Sequence, residues 1–196
     1  MEMDGTEPPH RKRCKRFNIP RHGHYLTFSC FKRQPFLMKD RARDWLAEAI
    51  KVARLRHDFR LIAWVFMPEH VHLMILPRQR VYSVSAMLSS MKLPVAMKVR
   101  AYVLKNAPGF LARMMDEQPN GKRAFRFWQR GRGYDRNIYT AKELWEKIGY
   151  IHRNPVRRQL VARPEEWEWS SAADYAGTRV GEPPIPVDNQ ELPSTW

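Results

Sequence analysis

"FRLIAWVFMPEHVHLMILP", residues 59–77, is the stretch on which the fold turns. It holds two apolar runs, 59–66 and 70–76, split by Met67-Pro68-Glu69. Short runs rich in branched and aromatic residues read as strands, and a proline at the break suits a hairpin-like connection between neighbouring strands. Side chains alternate faces along a strand. Val71, Leu73 and Ile75 therefore point toward a core, while His70, His72 and Met74 point the other way. Pro68 is punctuation, and Glu69 has no role at this level.

Working outward, "HYLTFSCF" (24–31) has the composition of a first strand. From Asp40 to His57 the period turns helical: Asp40 is suited to cap, and Leu46, Ala49, Ile50 and Ala53 share one face. Residues 83–105 read as a second helix, kinked or split at Pro94. The stretch 106–121 is loop-like, and "RAFRFWQR" (123–130) is expected as a short last strand followed by a basic turn, "GRGYDR". Thr140 to Asn154 is helical, with Leu144, Ile148 and Ile151 as its apolar stripe and Pro155 as its stop. The order β-α-β-β-α-β is the split pattern of a ferredoxin-like α+β fold, to which a C-terminal helix is added. Two helices are expected to cover one sheet face and leave the other for a site. The chain divides into a basic arm (1–22), one domain (23–176) and an irregular Pro-rich tail (177–196).

An apolar fraction of 43% with 12% aromatics is enough for a real core and argues against global disorder. Thirty-five Lys and Arg against 20 Asp and Glu leave a net charge of +15. That excess points to a polyanionic partner, nucleic acid first, because each cation that neutralises a phosphate releases a counterion. Cys14 and Cys30 are too few for a disulfide framework or a cysteine zinc site. No stretch approaches the ~20 apolar residues of a membrane span, and no secretory signal opens the sequence. The expected location is the cytoplasm.

Two imidazoles at i and i+2 on one strand lie side by side, within reach of one cation. By itself a His-x-His pair is often accidental, and a hard ion such as Mg2+ or Mn2+ needs oxygen ligands besides. The last helix holds candidates: Tyr150 and Asn154 lie one turn apart and off the apolar stripe, where the core does not require them. A tyrosine there is otherwise a packing residue, and an asparagine before proline otherwise a helix-end cap. Together the pieces define a chemistry. A divalent ion on two imidazoles and an amide oxygen polarises a phosphodiester, and a tyrosine oxygen attacks phosphorus to leave a phosphotyrosine ester and a free 3′ hydroxyl. Arg126, Arg130, Arg132, Arg136, Arg153, Arg157 and Arg158 stand around this as contacts for backbone phosphates.

At these residues the sequence is similar to a known family. "MPEHVHLMI" resembles the His-hydrophobic-His (HUH) motif of single-tyrosine transposases. "FWQRGRGYDRNI" and "YIHRNPVRRQLVARPEEWEWSSAADY" resemble the REP-associated tyrosine transposases, over a span from about Pro20 to Tyr175. The resemblance implies His70, His72 and Asn154 as metal ligands, Tyr150 as nucleophile and Mg2+ or Mn2+ as cofactor. Asp135-Arg136 falls on a family pair for which the resemblance implies a structural or DNA-contacting role. The implied substrate is single-stranded DNA carrying an imperfect palindromic REP-type hairpin, and the implied setting is a prokaryotic, nucleoid-associated monomer or homodimer. Two rivals remain open: a non-catalytic nucleic-acid-binding module with the fold of RNA-recognition domains, and an inactive, domesticated transposase. A replication or conjugation initiator with the same chemistry fits less well.

Overall fold

The computed structural model describes residues 17–118, 120–131, 133–190 and 192. Most of the basic arm therefore lies outside the described residues. Strand β1 (Gly23–Ser29) leads through a 3-10 turn to helix α1 (Asp40–His57) and strand β2 (Phe59–Phe66). Strand β3 (His70–Pro77) and helix α2 (Val84–Asn106) follow, then a 3-10 segment, a hairpin β4 (Met115–Glu117) and β5 (Arg123–Phe125), and strand β6 (Tyr134–Ile138). Helix α3 (Ala141–His152), the short turn α4 (Asn154–Arg157) and α5 (Ala172–Ala176) complete the elements. The class is α+β, as expected from the pattern. The main sheet has the order β2-β3-β1-β6, antiparallel at every pairing, so β3 sits between the two strands that α1 connects.

The opening stretch folds as its pattern dictates. Phe66 pairs with Val71 and the Met67 N–H donates to the His70 carbonyl, so only Pro68-Glu69 forms the loop. Cys30 N–H holds the Glu69 carbonyl and Leu37 N–H the Pro68 carbonyl, which fixes the loop against the segment after β1. Val71, Leu73 and Ile75 join Leu26, Phe28, Leu46, Ile50, Met91 and Val95 in the core beneath α1 and α2.

The opposite face is not left open. Leu144, Ile148 and Ile151 of α3 pack there on Ile62, Val65 and Met74. Burying each such side chain is worth about 1.5–3 kcal/mol, more than the sub-kcal differences of helix propensity. Packing therefore seats α3. Its start is capped by Thr140 Oγ1, which accepts from Glu143 N–H at 3.2 Å, while the Glu143 carboxylate takes Tyr139 N–H and Arg136. Its end is held by His152, whose Nε2 lies 2.9 Å from Ser171 Oγ.

Several expectations are corrected. The fourth strand of the sheet is Tyr134–Ile138, which begins inside what reads as a basic turn and runs beyond it, and Arg123–Phe125 pairs in a separate two-stranded sheet. Strand β6 escapes pattern reading because its inward residues are polar: Asp135 meets His24 Nδ1 at 2.9 Å and Asn137 donates to the Phe17 carbonyl. Helix α2 runs unbroken through Pro94, which faces solvent while Met91, Val95 and Val99 are buried around it. Lys39, not Asp40, occupies the cap of α1, and the Asp40 carboxylate accepts from Arg43. Pro155 ends α3 but opens the further turn α4.

The segment after α4 is more ordered than its composition suggests. Phe66 N–H donates to the Trp169 carbonyl and Ser171 N–H to the Trp64 carbonyl, while Asp188 N–H donates to the Leu61 carbonyl. These contacts cover the free edge of β2, which would otherwise expose a row of backbone groups. In the tail, Ile185 is fully buried. Among the described residues no helix is long and apolar enough to cross a membrane.

Candidate active site

Strand alternation and the pairing of β1 with β3 bring the site together. Thr27 lies opposite His72 and Ser29 opposite His70 across the strands. These four, with Arg33, Tyr150, Asn154, Arg157 and Arg158, line a cavity of about 310 Å³. His70, His72 and Asn154 are buried at its floor, while Tyr150 is half-buried.

The ring nitrogens are assigned by their surroundings. His70 Nδ1 lies 3.1 Å from a Glu69 carboxylate oxygen, so it carries the proton and leaves Nε2 as the lone pair. His72 Nδ1 lies 2.7 Å from Tyr25 Oη and 2.8 Å from Thr27 Oγ1. The two Nε2 atoms face each other at 3.0 Å, and the Asn154 amide stands 3.1 Å from that of His72. Burial lowers the pKa of His70, against the raising effect of Glu69, and burial with His70 nearby pushes His72 down to about 3. Both imidazoles are neutral at neutral pH. Burial pushes Tyr25 up to about 12, so its phenol keeps its proton.

This donor set fits a divalent cation: two neutral imidazole nitrogens aimed at one point, each with its second nitrogen hydrogen-bonded, and an amide beside them. Among the described residues no group of three or more histidine, cysteine, aspartate or glutamate side chains is placed to hold a metal, so the candidate set depends on the Asn154 amide as its third donor. The candidate donors are thus two imidazoles and an amide, all three lining the cavity.

Tyr150 stands over this floor. Its ring makes edge contacts with His72 at 5.7 Å and Tyr25 at 6.1 Å between centroids. The Arg157 guanidinium lies 5.1 Å and the Lys147 ammonium 5.7 Å from its centroid. Arg158 approaches Glu69 at 2.9 Å, so one carboxylate orients His70 and anchors a cavity arginine.

The arginines expected as phosphate contacts divide. Arg157 and Arg158 line the cavity and Arg130 lies in an adjoining one. Arg126 sits beyond the β4–β5 hairpin, paired with Asp116 at 3.3 Å, and Arg136 pairs with Glu143 at 2.7 Å. Arg153 is exposed and folds back along Gly149. Arg132 lies outside the described residues. Sequence reading misses Glu69, Tyr25, Thr27 and Arg33. Glu69 carried a signal, a carboxylate beside a histidine, whereas Tyr25 and Thr27 depend on strand register and Arg33 on a backbone φ of 51°.

Comparison with known proteins bears on the family and the fold. The family described as "Transposase IS200 like" matches residues 21–131, more than half of the chain. That span contains His70 and His72 and ends before α3. Among solved structures, one described as a REP-associated tyrosine transposase bound to a REP hairpin superposes with a TM-score of 0.65 at 19% identity, covering 94% of this chain and 97% of its own. A second, described as a candidate transposase from Deinococcus radiodurans, has a TM-score of 0.42 at 15% identity, covering 70% of this chain and 93% of its own. No curated protein matches the sequence.

Proposed function

Because this chain belongs to the IS200-like transposase family, we propose that it is a single-tyrosine, metal-dependent transposase that cleaves and rejoins single-stranded DNA beside a palindromic hairpin. The observation that carries this reading is the meeting of four groups from distant segments at one cavity: both His Nε2 atoms, the Asn154 amide and the Tyr150 ring. The hairpin as substrate follows the resemblance of the sequence and the REP hairpin bound in the similar structure.

His70, His72 and Asn154 would hold Mg2+ or Mn2+. Bound there, the ion would supply charge stabilisation at the phosphodiester and its leaving oxygen. The residues of the chain do the rest. Tyr150 Oη attacks phosphorus, a Tyr150 Oη–P bond forms and the P–O3′ bond breaks, and the proton lost by the phenol is made up on the departing 3′ oxygen. Rejoining is the reverse: a 3′ hydroxyl attacks the ester and the phenol is released. Bond energy is conserved throughout, so no nucleotide cofactor is needed. Arg157 beside the ring and Arg158 at the rim are placed to hold the phosphate during both steps.

A non-catalytic module that stacks bases on its sheet would need that face free. Here α3 covers it, and Tyr25 at its centre is only 5% exposed. The test is Tyr150→Phe with a hairpin oligonucleotide. Nicking and the covalent protein–DNA adduct should vanish while binding stays close to that of the unaltered protein; undiminished nicking would overturn the assignment.

A further inference from the structure

The tyrosine cavity does not end at Arg33. A second cavity of about 220 Å³ opens beside it and shares Thr27, Ser29 and Arg33 with it. Its other walls are Phe28, Lys92, Gln129, Arg130, Gly133 and Tyr134, and no carboxylate is among them.

Four features give this cavity a chemistry. First, its cations come from three separate segments: the turn after β1, helix α2 and the stretch after β5. Lys92 is held in place, its ammonium 5.5 Å from the Phe28 ring centroid and 6.0 Å from that of Trp128. Second, Lys32 and Arg33 both adopt left-handed backbone at φ 51°, a conformation that costs a non-glycine residue of order 1–3 kcal/mol. The strain is held by Lys32 N–H on Gln129 Oε1 at 2.9 Å and Arg33 N–H on the Cys30 carbonyl at 3.1 Å. It keeps Arg33 at the boundary of both cavities. Third, Gly133 has φ +68° and lies so close to β1 that a Cβ would run into the Thr27 carbonyl oxygen, so the wall is bare backbone there. Fourth, the next residue, Tyr134, presents a ring that is 49% exposed and meets Tyr25 edge-on at 5.9 Å. Tyr25 is the residue that bonds His72. The exposed ring is therefore one side chain away from the floor of the tyrosine site.

An exposed aromatic ring beside cations, with no carboxylate in the cavity lining, suits an anion that also carries a π face. A base within a duplex is already stacked on both sides, so only an unpaired one has a face to give. We propose that the second cavity is a subsite for one unpaired nucleotide adjoining the scissile phosphate, its base stacked on Tyr134 and its phosphate held between Arg33 and Arg130. The inference rests on reading the first cavity as a single-strand transposase site.

The experiment is an abasic scan. Single-stranded oligonucleotides carrying the hairpin, each with one abasic residue, are bound to full-length protein with Tyr150→Phe, with and without Tyr134→Ala. Nicking of the unmodified oligonucleotide by the Tyr150 protein is scored in parallel. One abasic position next to the cut should weaken binding by about 5- to 150-fold, the range for a lost base–aromatic stack. That penalty should disappear in Tyr134→Ala and persist in Tyr134→Phe. Arg33→Ala should reduce the slope of log K against log salt by about 0.7, one phosphate contact on a single strand. Equal abasic penalties with and without Tyr134, alongside Tyr150-dependent nicking, overturn the subsite alone. Absent nicking with the Tyr134-dependent penalty intact overturns the transposase reading and supports the nucleotide subsite.

Discussion

On the proposed function, Glu69 should control how tightly His70 and His72 hold Mn2+. Its buried carboxylate accepts the His70 Nδ1–H at 3.1 Å and takes the Arg158 guanidinium at 2.9 Å. In Glu69→Gln an amide oxygen still accepts from Nδ1, so the ring stays in place. The negative charge that raises the basicity of the opposite nitrogen is lost, and Arg158 loses its partner. Removing an outer-shell partner of a metal-bound histidine lowers metal affinity by about 10- to 100-fold. The effect is readable as stabilisation. At a Mn2+ concentration of about 100 times the dissociation constant, the unaltered protein gains about 2.7 kcal/mol. A tenfold weaker site gains about 1.4 kcal/mol at the same concentration, and a hundredfold weaker one about 0.4 kcal/mol. For a chain of this size each kcal/mol moves the melting temperature by about 2–4 °C. Differential scanning fluorimetry with and without Mn2+ should therefore show a shift of about 5–10 °C for the unaltered protein, and at most about 3–6 °C for Glu69→Gln. Titration calorimetry gives the affinities directly. An affinity within twofold of the unaltered protein would refute the orienting role of Glu69.

Two further substitutions test the scaffold that positions the site. Ser171→Ala removes the hydroxyl that accepts from Trp64 N–H at 3.0 Å and meets His152 Nε2 at 2.9 Å, leaving both groups buried without that partner. Each such group costs about 1–3 kcal/mol, so urea denaturation should show a loss of at least that size; a loss below about 0.5 kcal/mol, the range of ordinary surface substitutions, would mean that α3 is not pinned there. Gly133→Ala puts a side chain into left-handed backbone and against the Thr27 carbonyl, and should destabilise by at least about 1 kcal/mol in the same assay, with no loss arguing against the close approach of β6 to β1.

The likeness of the site to its sequence signature is uneven, and the reason is physical. Alternation along residues 70–76 is enough to put His70 and His72 on one face and Val71, Leu73 and Ile75 on the other, because strand geometry is local. The same holds for residues 140–154, where helical period sets Tyr150 and Asn154 one turn apart beside the Leu144, Ile148 and Ile151 stripe. Helix α1 and the β2–β3 hairpin are legible for the same reason, and α+β class follows from the order of such local patterns.

What the tertiary structure decided depends on contacts between residues far apart in sequence. Strand β6 carries buried Asp135 and Asn137, which look like turn residues until His24 and the Phe17 carbonyl are placed beside them. Tyr25 and Thr27 reach His72 only through the register of β1 on β3, and no pattern within either strand encodes that register. The arginines of the C-terminal half look equivalent in sequence, yet Arg126 and Arg136 are turned to Asp116 and Glu143 while Arg157 and Arg158 border the cavity. Arg33 joins them through a left-handed turn that side-chain chemistry does not announce. The sequence by itself thus determined which faces carry histidines, tyrosine and asparagine; packing across the sheet decided that those faces meet, and which charges surround them, because only the folded chain sets distances between segments.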